Sequence, residues 1–180
     1  DEDSDMYGII SSRRQGGTGI KLNWRPHMNA MDIKKKLGID KFNNYLKFCV
    51  VRNPYEKLVS AYWWKISKYT ERGIQCNPSI EDFRKKLRSG KFRSVNNLKN
   101  MHSLNGKKSV CNFFIRHENL EEDIVKLLSI LNIKKYDLSK LPNHKSNPKK
   151  INVHYSKYFG EKEREIVEKE FRNELDLFDY

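Results

Sequence analysis

The residues with the clearest capacity for chemistry are Arg52 and Ser60, in the stretch Phe48-Cys49-Val50-Val51-Arg52-Asn53-Pro54-Tyr55 through Ser60-Ala61-Tyr62. A guanidinium at the mouth of a strand can grip an oxyanion with two parallel N–H bonds. A helix start directly behind it adds backbone amides and the positive end of the dipole. Ser60, two turns along that helix, can donate its hydroxyl to the same group. The chemistry implied is recognition of a phosphate-like anion. Spacing alone favours a plainer alternative, an arginine in a salt bridge and a serine exposed on a helix, because short motifs match by chance.

His27 is the second candidate. Pro26 keeps the incoming chain extended, and a capped helix follows. An imidazole with an ordinary pKa of about 6.5 can take a proton from a hydroxyl at neutral pH. The competing assignment is a surface or satisfied core histidine. His102, His117, His144 and His154 have weaker claims, with His144 and His102 the substitutes for His27. Cys49 and Cys111 lie in apolar, strand-like runs and read as small buried hydrophobes. With neither CxxC nor Cys/His ligand spacing, no metal site is expected.

These side chains need elements to hold them. Residues 45–51 are rich in β-formers and read as a buried strand. Asn53 is a natural N-cap and Pro54 suits the first helical position, which starts a helix over 54–69. Leu58, Val59, Tyr62, Ile66 and Tyr69 share one face of it, and Ser60 falls away from that arc. Upstream, Asn29 and Asp32 form a capping pair for a helix ending at Leu37, closed by Gly38. Downstream, the pattern predicts a capped helix from Ser79 to Leu87, a strand from Val110 to Ile115 ending at Arg116, and a helix capped by Asn119. That helix turns Leu120, Ile124, Leu127, Leu128 and Leu131 inward. A basic loop over 139–152 and a helix over 161–175, with Ile166, Val167, Phe171 and Leu175 inward, complete the chain. Strands alternating with helices give an α/β fold with a parallel sheet flanked by helices.

Composition sets the outer limits. The 180 residues suffice for one domain with a real core, and 37% hydrophobic residues argue against disorder. A net charge of +13 attracts polyanions such as nucleic acid, sulfated glycans or a multiply charged nucleotide. Tyr62, Trp63, Trp64 and Tyr69 would serve a basic nucleic-acid-binding module by base stacking, but no nucleic-acid-binding signature accompanies them. No stretch is apolar enough to span a bilayer. The Lys-, Asn- and Ile-heavy composition points to the cytoplasm, or to a Golgi lumen if an anchor has been removed.

The stretch from Lys47 to Tyr62 resembles the 3′-phosphate-binding segment of carbohydrate sulfotransferases that use 3′-phosphoadenosine-5′-phosphosulfate (PAPS), the chondroitin, dermatan and heparan 2-O enzymes and their bacterial relatives. Phe113-Phe114-Ile115-Arg116-His117-Glu118-Asn119-Leu120 is similar to that family's Arg-aromatic-Glu-Asn-Leu passage, with His117 in place of the aromatic. The stretch from His154 to Tyr180 looks like its closing helix. The resemblance implies a P-loop-NTPase-like fold and sulfuryl transfer from PAPS to a carbohydrate-like hydroxyl, leaving PAP and needing no metal. It implies that Arg52 and Ser60 bind the 3′-phosphate, that His27 is the base, and that Ser146, in the loop from Asn143 to Lys150, helps close over the nucleotide. The family's Pro-Lys-Thr-like loop for the 5′-phosphosulfate has no counterpart before His27, and Gly16-Gly17-Thr18-Gly19 reads as a turn. The expectation is one domain over 1–180, N-terminally incomplete, with 1–26 poorly matched. A catalytically inactive nucleotide-binding relative is the alternative from the same family.

Overall fold

The computed structural model describes residues 28–96, 98, 102–105, 108–140 and 153–180. His27 and Ser146 lie outside the described residues, as do His144 and most of the 139–152 loop.

Local signals set most of the elements. Asn29 accepts from the Asp32 amide at 2.8 Å and starts α1 (Ala30–Leu37). Gly38, at φ 80°, closes it in a conformation that favours glycine. The short helix α2 (Ile39–Asn44) leads into β1 (Phe48–Val51). Helix α3 (Pro54–Glu71) follows, then α4 (Ile80–Arg88), whose N-cap Ser79 accepts from the Asp82 amide at 3.0 Å. β2 (Phe113–Arg116), α5 (Leu120–Ile130) and α6 (Glu161–Phe178) complete the order.

β1 and β2 form a parallel pair, with Phe48, Cys49, Val50 and Val51 opposite Phe113, Phe114, Ile115 and Arg116. Among the described residues this is a mixed α/β fold around a small parallel sheet. The expected buried strand over 45–51 needs correction. Tyr45 caps α2, and Lys47 turns its ammonium back onto the carbonyls of Phe42 and Tyr45, so the strand starts only at Phe48. Phe48 and Val50 are each 50% exposed. Helix α5 packs mainly on β2, so its cover falls over Ile115 and leaves their face half open. The second strand likewise starts at Phe113, because Asn112 donates its amide to Lys47 O and accepts the Lys47 amide on its side chain.

The core lies where α3, α4 and α6 meet. Leu58, Val59, Tyr62, Trp63 and Ile66 of α3 pack with Phe83 and Leu87, Tyr158 and Phe159, and Val167 and Phe171. Phe83 receives Tyr62, Tyr158 and Phe159 edge-on at 5.2–5.6 Å, a favoured aromatic geometry. Inside it, the Trp63 indole donates to the Tyr158 hydroxyl at 2.9 Å. Trp63 extends the predicted apolar face of α3, and Phe178 extends that of α6. At the start of α5 the expected Asn119 side-chain cap is not made. Asp123 instead accepts the Arg116 amide at 2.9 Å and binds Lys126, which ties the helix to the end of β2. Leu131, expected inward, is 44% exposed because α5 ends at Ile130.

No helix among the described residues is long and apolar enough to cross a membrane.

Candidate functional site

Arg52 sits where β1 ends and α3 begins, and the entry into the helix is tightly made. Asn53 accepts the Tyr55 amide on Oδ1 at 2.9 Å, and Pro54 takes the first helical position, where a missing N–H costs nothing. The sequence reading assigned the amides of this helix start to an incoming anion. The structure commits the first of them internally. The Asn53 amide donates to Glu118 Oε1 at 2.7 Å, the Tyr55 amide goes to the Asn53 cap, and Pro54 has none. That leaves side chains, with the Glu56 amide, which has no partner among the described hydrogen bonds, to meet an anion here.

The Arg52 guanidinium bonds Glu56 Oε2 through Nε at 3.0 Å. The plainer expectation of a salt bridge thus holds for that nitrogen. It also fixes direction: Glu56 is one turn into α3, and Ser60 is one turn further on the same stripe. Arg52 is laid along the stripe that carries Ser60, which is half-buried and off the core face. No hydrogen bond joins Arg52 and Ser60 among the described residues, so the two groups share a side of the helix without contacting each other. The Arg52 and Glu56 side chains are 26% and 29% exposed, and a helical pair of that kind contributes only about 0.3–0.5 kcal/mol. It orients the guanidinium and is too weak to lock it against a multiply charged oxyanion.

Glu118, to which the sequence pattern gives no task, anchors the entry into α3. Its second oxygen accepts the Tyr180 hydroxyl at 3.1 Å, so the last residue of the chain and the Arg-His-Glu-Asn passage both converge on the backbone beside Arg52. Burial, followed by the Glu118 charge, raises the Tyr180 pKa and keeps that hydroxyl a donor. Behind the site, Lys57 pairs with Glu174 of α6, whose side chain is 4% exposed and whose other oxygen accepts the Leu98 amide at 3.0 Å. Tyr62 is fully buried; its hydroxyl donates to Asp82 at 2.8 Å and accepts the Ser79 amide at 3.1 Å, joining α3 to α4.

The other candidates separate. His102 is half-buried, and burial lowers its pKa, which holds the imidazole neutral at pH 7. His117 and His154 are exposed. Among the described residues no group of three or more His, Cys, Asp or Glu side chains is placed to hold a metal ion. Of the four aromatics a base-stacking module would use, Tyr62 and Trp63 are buried and Tyr69 is half-buried, while Trp64 is 55% exposed. Arg84 and Arg88 of α4 both reach Glu163, and Arg84 also bonds the Tyr158 carbonyl, so they tie α4 to the start of α6. Cys49 and Cys111, expected as small buried hydrophobes, are half-buried.

Comparison with known proteins bears on the family. An uncharacterized protein of Archaeoglobus fulgidus is 33% identical over 101 residues, covering 56% of this chain and 79% of the relative. No solved structure matches significantly. The sequence profile described as "Sulfotransferase family" matches residues 21–180, which include β1, the Arg52–Ser60 stripe, the Glu118 anchor and the closing helix α6. The chain belongs to the sulfotransferase family.

Proposed function

We propose that this protein transfers a sulfuryl group from PAPS to a hydroxyl of a carbohydrate-like acceptor, on a P-loop-NTPase-like scaffold. The observation that carries the proposal is the direction of Arg52. Its side chain lies along the α3 stripe of Ser60, at the mouth of β1, with only Nε engaged among the described contacts. The two terminal nitrogens suit an oxyanion, and the Ser60 hydroxyl supplies a further donor on the same side. These two residues bind the 3′-phosphate that distinguishes PAPS from ordinary adenine nucleotides, and Ser146 contributes to closing over the nucleotide.

In the reaction the acceptor oxygen forms a bond to sulfur as the bond from sulfur to the 5′-phosphate oxygen breaks, releasing PAP. His27 takes the acceptor proton. A nearly in-line displacement of this kind depends on positioning and on fixed charge near the transferring and leaving oxygens. Arg52 and Ser60 act at the distal end of the donor, where binding energy fixes the nucleotide so that its reactive end is oriented.

The test is transfer of labelled sulfuryl from PAPS to a panel of glycans. His27→Ala is expected to abolish transfer and to leave PAP binding intact. A protein that binds PAP and transfers to no acceptor would be an inactive nucleotide-binding relative. Tight, salt-sensitive oligonucleotide binding without PAP binding would replace the proposal with a nucleic-acid module.

A further inference from the structure

The Asn53 N–H belongs to the peptide plane that begins at the Arg52 Cα, so whatever holds that N–H also sets the base from which the Arg52 side chain springs. Glu118, in the turn that follows β2, holds it: Oε1 accepts the Asn53 amide at 2.7 Å, and Oε2 accepts the Tyr180 hydroxyl at 3.1 Å. One carboxylate thus joins the backbone beside Arg52 to the chain beyond α6. At its other end Arg52 is steadied only by the Nε bond to Glu56, a half-exposed helical pair.

Tyr180 is itself held in place. Asp179 closes α6 at a left-handed φ of 55°, and the Asp179 and Tyr180 amides both donate to the Leu175 carbonyl, the second at 3.2 Å. The Tyr180 ring lies 6.0 Å from that of Phe178, which meets Phe114 of β2 edge-on at 4.9 Å. Phe114 stands opposite Cys49 of β1, so the support for Glu118 and the strand leading to Arg52 are packed into one unit. Glu118 is exposed, and its charge by itself opposes an oxyanion nearby. Its contribution to anion binding therefore comes from the geometry it fixes.

We propose that Glu118 and Tyr180 are positioning residues for the 3′-phosphate of the donor: Glu118 fixes the Arg52–Asn53 peptide, and Tyr180 fixes Glu118, so that the guanidinium meets the phosphate already oriented. The inference rests on the reading of Arg52 and Ser60 as the 3′-phosphate site. Both residues act through Arg52 and not on the nucleotide. An arginine oriented in advance loses less freedom on binding, and that gain applies only to a ligand carrying the group it grips. The end of α6 thereby sets the preference for a 3′-phosphorylated nucleotide over an ordinary one.

Calorimetric titration of the full chain with PAP and with AMP, for the unsubstituted protein and three variants, tests the proposal. Glu118→Ala is expected to weaken PAP about tenfold, the equivalent of one charge-assisted hydrogen bond, and to leave AMP unchanged. Glu118→Gln is expected to keep PAP affinity within about twofold, because its amide oxygen still accepts from Asn53 and its amide nitrogen can donate to the Tyr180 oxygen. Tyr180→Phe removes a single oxygen, spares the Asn53 bond and is expected to weaken PAP about threefold with AMP unchanged; it decides the matter if Glu118→Ala fails to fold. The ratio of PAP to AMP affinity is the readout, since a purely structural loss affects the two nucleotides alike. An unchanged ratio in Glu118→Ala and Tyr180→Phe, or a marked gain of PAP affinity in Glu118→Gln, would overturn the positioning role and leave the 3′-phosphate site standing. Equal affinity of the unsubstituted protein for PAP and AMP would instead remove that site, and this inference with it.

Discussion

The Lys57–Glu174 pair is the sharpest test of how α3, and with it Arg52, is held. The side chains are 14% and 4% exposed, so both charges are largely out of water, and Glu174 also accepts the Leu98 amide at 3.0 Å. Removing one partner of a buried pair strands the other and costs about 3–5 kcal/mol, whereas a surface pair contributes about 0–1 kcal/mol. Lys57→Met keeps most of the side-chain volume over Phe171, which the ammonium faces at 5.5 Å, and strands the Glu174 carboxylate. The retained Leu98 bond and the partial exposure of Lys57 put the expected loss at the lower end, about 3 kcal/mol. Adding Glu174→Gln neutralises the stranded group while keeping an acceptor for Leu98, so the double variant should lie within about 1 kcal/mol of the unsubstituted protein. Urea unfolding of the four proteins, read from midpoints at constant m, measures the coupling. A Lys57→Met loss below about 1 kcal/mol, the range of a surface pair, would refute the reasoning, as would a double variant no better than the single one.

Two further perturbations follow from the same structure. Glu163 is buried at 2% exposure; burial pushes its pKa up, but the Arg88 guanidinium at 2.7 Å and the Gly160 amide at 3.0 Å outweigh that and hold the carboxyl below its usual range. A carboxylate depressed in the folded state stabilises fully above its unfolded pKa, and the contribution is lost as pH falls through the folded value. Stability should therefore fall with acid below about pH 4.5, and Glu163→Gln should both lower stability at neutral pH and flatten that decline, as read by thermal melts across pH. Asn53→Ala removes the cap on the Tyr55 amide and should cost about 1 kcal/mol, with Asn53→Asp close to neutral, by the same melts.

Short-range signals were readable in the sequence because their causes lie within a few residues. The Asn29, Asn53 and Ser79 caps, the Gly38 stop and the apolar face of α3 all depend on neighbours one turn away. Exposure and the availability of amides were harder to read, because they depend on partners far along the chain. Phe48 and Val50 look like core residues, and whether they are covered depends on where α5 packs. The amides at the start of α3 look available to an anion until Glu118, 65 residues away, is placed against Asn53. Arg52 and Ser60 share a side of α3 because positions 56 and 60 fall on one helical stripe and Arg52 bonds to the first of them.

The measurement closest to the central claim is thermal stabilisation by PAP compared with AMP, which lacks the 3′-phosphate. Arg52 and Ser60 as its binding groups require stabilisation by PAP well beyond that by AMP, lost in Arg52→Ala and mostly lost in Ser60→Ala. Equal stabilisation by the two nucleotides, or an unchanged PAP response in Arg52→Ala, would contradict it.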